Sequence, residues 1–506
     1  MKRKPSPPNK PSPFWSPARL DLLISLSIVA PIVVFYFWTA ISDGNEPRTS
    51  SNYYYPLLGR SFTEGHLYLD VPPLPELLAL PDPYDPAMNQ GLRLHDASLY
   101  RDKYYLYFGP APAVLVFAPY FALTHHYFPQ KIAVALFCSL GFVLATQLFL
   151  MILRDYFPET PIWLKLACVL SLGLANTCPF FIRRPDVYET AIGCAYCLLQ
   201  LAFLSFYCVI RRRHRMTLWL LLASTSLGAV VGARANYSLI VFMFVGYLVW
   251  LWWQKRAARE PRPWTIFWAL APVAVIGLML AWYNYARFDN PFEFGQRYQL
   301  AGVKMSEAAP THLADLPYSL WYYFLSPPHF SCDFPFIRAL PVGRIERPDH
   351  SYALESVTGL FISAPVSLLV LALPLLWFKY TGPENRPLLL ITASLLLASF
   401  VIFLSILPVP CPTMRYFVDF CPGLIVLGCL MACYFYKTVR KQTAPIRWLA
   451  GIGLFLLLMS GCVTGLFLSF TGYYNYLQTG SPDTYAAVAQ FFNPLEAFLK
   501  TMTNSN

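Results

Sequence analysis

The chain is 506 residues long, 56% hydrophobic and only 13% charged, whereas soluble domains carry about a quarter charged residues; a soluble enzyme is excluded. Apolar runs near the ~20 residues that cross a bilayer recur along the whole length, without the short alternating segments of a closed barrel, so an all-α polytopic membrane protein is expected. The formal net charge of +11 does not point to nucleic acid. The basic residues stand in short clusters between apolar runs, MKRKPSPPNK at the start, RRRHR (211–215), KRAAREPRP (255–263) and KTVRKQ (437–442), which is the positive-inside pattern.

In chain order, the proline-rich residues 1–19 predict a disordered cytoplasmic tail, followed by an uncleaved first span at 20–41. Ten further spans are predicted at 131–153, 162–182, 187–210, 216–233, 236–253, 264–285, 359–378, 387–408, 416–436 and 446–471. The run PAPAVLVFAPYFALTHHYF (110–128) is interrupted by Pro110, Pro112 and Pro119, so it predicts a helix lying at or dipping into the interface. Counting it out places all four basic clusters on one side, giving about eleven transmembrane helices with the N-terminus inside and the C-terminus outside. The domain division is then the tail, a transmembrane domain over 20–471 with long outer loops at 42–130 and 286–357, and a short outer segment at 472–506. Loops of that length without structure are uncommon unless functional, so the outer face is the expected working surface.

Ten of the twelve cysteines lie in apolar runs and read as small buried hydrophobes. Cys194 and Cys197 form a CxxC inside a span with no second pair, which predicts no metal or redox site there. Cys332 and Cys411 fall in predicted outer loops, and the sequence leaves their pairing open.

The polar residues of the outer face fall into groups. Asp43 and Glu46 follow the first span immediately; either they solvate a helix end, or one is a carboxylate held by a rigid span to take a proton from a hydroxyl. The first loop continues with Asn52, Tyr53, Tyr54, His95, Asp96, Lys103 and Tyr105, and the loop after the seventh span adds Glu293. These form either an interfacial aromatic belt or a sugar and acceptor site, since aromatic faces and side-chain hydrogen bonds suit polyols. Asp82, Asp85, Asp96 and Asp102 lack any calcium-loop spacing. Arg183, Arg184, Arg234, Arg297 and Arg415 all fall in outer turns. Ordinary ion pairs, for instance to Asp186 and Glu189, are one reading; contacts to an anionic phosphate at headgroup level are the other. No nucleotide-binding loop or HExxH motif is present in a suitable context.

Taken in order, the acids after the first span, a juxtamembrane helix beginning near Gly109 and Pro110, an acid after the third span (Asp186), a basic residue after the fifth (Arg234) and a late RY pair (Arg415, Tyr416) resemble the GT-C superfamily of integral-membrane glycosyltransferases. The resemblance runs from about Leu20 to Thr471 and is similar in layout to the protein mannosyltransferase and lipid A aminoarabinose transferase branch. It implies an inverting transferase of the cytoplasmic (inner) membrane that moves a hexosyl or pentosyl group from a polyprenyl-phosphate sugar to a hydroxyl of a glycan, lipid or protein acceptor. It further implies Asp43, or else Glu46, as general base, Arg234 as a donor-phosphate ligand and, in some members, a divalent metal (Mg or Mn) near Asp186. The chain departs from the family in having DGNE where adjacent acids, DE, are commoner, and in reducing the C-terminal soluble domain to about 35 residues. A glycan polymerase or ligase, supported by His329 and Arg338, and a lipid-linked sugar transporter or flippase are the rival readings. No two-half symmetry or mid-span carboxylate supports the transporter.

Overall fold

The computed structural model describes residues 24–42, 53–211, 214–255, 263–307, 313–346, 351–409 and 411–504. The predicted tail at 1–19 lies outside them. The principal helices are α1 (Ala30–Ile41), α2 (Tyr54–Thr63), α3 (Ala118–Thr124), α4 (Gln130–Tyr156), α5 (Ile162–Leu174), α6 (Val187–Ile210), α7 (Met216–Val231), α8 (Ser238–Lys255), α9 (Pro263–Phe288), α10 (Arg386–Ile406), α11 (Phe417–Val439), α12 (Ala444–Thr471) and α13 (Pro482–Asn504). Among the described residues seven helices are long and apolar enough to cross a membrane, and every one falls on a predicted span. The other four predicted spans fall on shorter apolar helices, Ser27–Ile41, Met216–Val231, Ala235–Val249 and Pro365–Lys379.

The run at 110–128 is a short helix, Ala113–Thr124. It is about 18 Å long at 1.5 Å per residue, too short for a span, and His125 in the left-handed region stops it. The predicted span at 359–378 is broken into Leu360–Ser363, a 3-10 stretch Pro365–Ala372 and Leu373–Lys379; prolines at both joints deny the backbone the donors that a continuous helix needs.

The structure adds β-structure that the all-α expectation lacked. Three antiparallel pairs stand in the loops: β1 (Ser98–Tyr100) with β2 (Lys103–Tyr105), β3 (His329–Phe330) with β4 (Ile337–Arg338), and β5 (Gly343–Glu346) with β6 (Ser351–Leu354). The two long loops are stitched together rather than separate. Asp96 N donates to Leu300 O (3.0 Å), Leu300 N to Ala97 O (2.9 Å) and Ser98 Oγ to Gly295 O (2.8 Å). Arg287, buried at the end of α9, donates to Leu106 O (2.6 Å). The C-terminal segment, expected to be a short tail, is largely the helix α13.

The Ala113–Thr124 helix is fastened to the α7–α8 turn by a backbone approach that only glycine permits. A Cβ on Gly109 would stand 2.0 Å from Gly232 O, the same carbonyl that accepts a hydrogen bond from Ala111 N (2.8 Å). That contact fixes the height of Arg234, two residues further on, against the first loop.

Candidate functional site

One end of the helical bundle gathers the turns after α1, α5, α7 and α12 with the starts of α6 and α11. Arg234 occupies an extended residue (φ −145°, ψ 118°) between α7 and α8, so its side chain leaves the helix axis and reaches α11. There its Nη2 pairs with Asp419 Oδ2 (3.1 Å), while Tyr237 OH donates to Asp419 Oδ1 (2.9 Å). Tyr416 lies beside Arg234 and Arg415, with its ring centroid 5.7 and 5.5 Å from their guanidinium carbons.

A second, connected group surrounds Arg184. Its Nη2 donates to Glu189 Oε1 (3.0 Å) and its Nη1 to Glu355 Oε1 (3.1 Å), with Asp186 Oδ2 at 3.8 Å. Glu355 also pairs through Oε2 with Arg415 Nη2 (3.3 Å), so one carboxylate bridges two arginines. Tyr473 lies 3.9 Å under Arg184, and Tyr188 lies 4.3 Å under Arg415. These are the close cation–π distances expected where water is scarce.

Arg183 joins the ends of α1 and α12. Its Nη1 donates to Ser42 Oγ (2.6 Å), its Nε donates to Ser469 O (2.9 Å), and its guanidinium lies 5.4 Å from Trp38. Gly472 (φ +54°) turns the chain beside it; a Cβ there would stand 2.3 Å from Arg183 Cγ. Ser42 is the residue immediately before Asp43. The base candidates Asp43 and Glu46, with Asn52, lie outside the described residues.

Electrostatics keep Glu355 and its neighbouring arginines charged. Burial works against ionisation of Glu355, but Arg415 and then Arg184 outweigh it and hold the carboxyl at about 2. Burial likewise opposes the charges of Arg184 and Arg234, yet Glu189 for the first and Asp419 for the second raise both above the ordinary range. The buried Nε donors of Arg234 and Arg415 have no hydrogen-bond partner among the described residues. Buried donors of this kind are costly unless something fills them.

The structure therefore brings Arg183, Arg184, Arg234 and Arg415 to one end of the bundle. Arg297 is exposed on the turn Gln296–Tyr298, and no ion pair or hydrogen bond among the described residues joins it to the cluster. The residues expected at a sugar or acceptor site are spread over the stitched loops. Tyr53 packs edge-on to Tyr127 (5.1 Å). Tyr54 is buried and donates to His95 O, while the exposed His95 ring faces Asp96 (3.6 Å). Asp96 accepts from Gln299 Nε2 (2.9 Å), and Glu293 accepts from Gly295 N (2.6 Å). Tyr105 packs on Phe288 (5.4 Å), and Lys103 lies over Tyr68 (4.2 Å).

His329 and Arg338 are cross-strand partners on the β3–β4 hairpin, and Cys332 and Cys411 are both free thiols. For a metal, Asp186 is paired with Arg184, and no group of three or more His, Cys, Asp or Glu side chains converges among the described residues. A cation there would need donors from outside them. Sequence reasoning missed Glu355. Its only sequence signal is an acid near the end of a long loop, 60 residues before its partner Arg415.

No family model matches the sequence, and neither does any curated protein. Among solved structures the chain is similar to the oligosaccharyltransferase of Archaeoglobus fulgidus tethered to an acceptor peptide containing the NVT sequon, with TM-score 0.50 and 12% identity over 94% of this chain and 59% of that one. It is also similar to ArnT of Cupriavidus metallidurans bound to undecaprenyl phosphate (TM-score 0.42, 13% identity, 90% of this chain and 77% of that one). A third is the archaeal oligosaccharyltransferase AglB in complex with an inhibitory peptide and a dolichol-phosphate (TM-score 0.48, 12% identity, 94% and 60%).

Proposed function

With a GT-C fold like that of the archaeal oligosaccharyltransferase as its frame, we propose that the chain is an inverting glycosyltransferase. It moves a sugar from a polyprenyl-phosphate donor to a hydroxyl acceptor at the outer face of the cytoplasmic membrane, with eleven spans, the N-terminus inside and the C-terminus outside. The observation that carries this reading is the convergence of Arg234 and Arg415, each with a buried Nε that has no hydrogen-bond partner among the described residues, at the bundle end where Ser42 meets Arg183. Two cations and aromatic walls suit a phosphate whose hydrocarbon tail lies among the helices.

In the proposed step, Asp43 or Glu46 takes the acceptor O–H proton as that oxygen attacks the anomeric carbon. The bond from this carbon to the phosphate oxygen breaks, and polyprenyl phosphate leaves with one more negative charge. Arg234 and Arg415 stabilise that charge where it develops. Arg184, enclosed by Glu189 and Glu355, positions Glu355 and through it Arg415. A divalent cation held in part by Asp186 would add a Lewis acid, and no step above depends on it.

Purified protein incubated with a panel of polyprenyl-phosphate sugars tests the reading. Release of free polyprenyl phosphate, lost in Asp43→Asn or Glu46→Gln while lipid binding persists, is the expected result. Movement of intact donor across a vesicle without cleavage would overturn it in favour of a transporter.

A further inference from the structure

The helix α13 (Pro482–Asn504) carries two apolar arcs, and the described residues cover only one. On the docked arc Phe492 stacks on Phe334 (5.4 Å, 15° between planes) and meets Phe467 of α12 at 5.4 Å. Tyr485 OH donates to Phe334 O (3.2 Å), Glu496 accepts from Phe334 N (3.2 Å), and Lys500 pairs with Asp333 (2.7 Å). On the second arc Phe491, Leu495 and Phe498 are 78%, 39% and 59% exposed. At 3.6 residues per turn these three lie within roughly 60° of one another, about a quarter turn from the docked arc.

What lies beside the second arc decides its occupant. On α12, a helix long and apolar enough to span, Ile452, Leu456 and Val463 form an exposed stripe. The next residue of that stripe, Phe467, is buried, and Phe492 is what packs on it. The exposed arc of α13 therefore continues the apolar outside of a span at its very end, the level of a membrane surface. The helix carries two acids and one lysine, so no polybasic attraction to headgroups is available. A second copy is a poor fit: three partly exposed side chains offer on the order of 300 Å², against the roughly 800 Å² per partner of a stable interface.

We propose that α13 lies in the plane of the membrane surface, with its Phe491–Leu495–Phe498 arc in the lipid and its other arc clamping the β3–β4 hairpin. The proposal is independent of the sugar-transfer reading. It is tested on the full chain in nanodiscs of phosphatidylcholine, with and without anionic lipid, with a photo-crosslinking benzoylphenylalanine placed at 491, 492 or 498. The expected result is a lipid adduct, identified by mass, from 491 and 498 in both compositions, and a link within the chain to the 329–338 hairpin from 492. The 492 link shows that the helix is docked, so an absence of lipid adducts from 491 and 498 in the same preparation overturns the proposal. A covalent dimer from 498, or adducts that require anionic lipid, overturns it as well.

Discussion

Replacing Glu355 by Gln removes the carboxylate that bridges Arg184 and Arg415, at 3.1 and 3.3 Å. The difference between its ordinary value of 4.5 and about 2 in the fold, at about 1.4 kcal/mol per pH unit, corresponds to about 3 kcal/mol of stabilisation. Leaving two buried arginines short of a partner is a cost of the same order, ~3–5 kcal/mol. Because the folded value is depressed, the contribution is full above pH 4.5 and is lost as pH falls through about 2. Thermal unfolding in one detergent should therefore show Glu355→Gln well below wild type at pH 7, with the gap closing as the wild-type carboxyl is protonated. If Arg415 and Arg234 hold a phosphate, polyprenyl phosphate should raise the variant's Tm, since a ligand that binds only the folded state stabilises it by mass action. A variant as stable as wild type at pH 7 would refute the claim that this carboxylate holds the two arginines.

Arg234→Ala should lower transfer by at least ~10²-fold, as expected for one lost charge stabiliser, and should destabilise the protein by leaving the buried Asp419 without its cationic partner; adding Asp419→Asn should recover stability but not turnover, read by unfolding and initial rates on the same samples. Tyr237→Phe removes the hydroxyl that donates to Asp419 at 2.9 Å and should cost about 1 kcal/mol, so an unfolding curve identical to wild type would remove this residue from the network. Gly109→Ala places a Cβ 2.0 Å from Gly232 O and should cost ~1–3 kcal/mol as the Ala113–Thr124 helix is pushed from the Arg234 turn; an unchanged Tm would mean that the close approach is relaxed in solution.

Helix positions were legible because twenty or so consecutive apolar residues have a single satisfactory arrangement in lipid, and each of the eleven predicted runs carries an apolar helix. The prolines of the 110–128 run likewise foretold a short helix there. The loops were not legible. The pairing of Ala97 with Leu300 joins segments 203 residues apart, and no local periodicity encodes it. The second face of α13 was missed for a related reason: an amphipathic pattern shows that a helix has apolar residues, but not which of them the rest of the chain covers.

The site divides along the same line. Residue type and turn position were enough to single out Arg183, Arg184, Arg234 and Arg415, together with Arg297, which the fold leaves apart from the others, because a charge near lipid is too costly to stand without a partner. The partners are another matter. Glu355 reaches Arg184 across 171 residues, and Asp419 reaches Arg234 across 185. Such pairings are set by how helices pack, so the sequence by itself determined that several arginines stand in the turns at the helix ends, and only the tertiary structure decided which carboxylates and tyrosines enclose each of them.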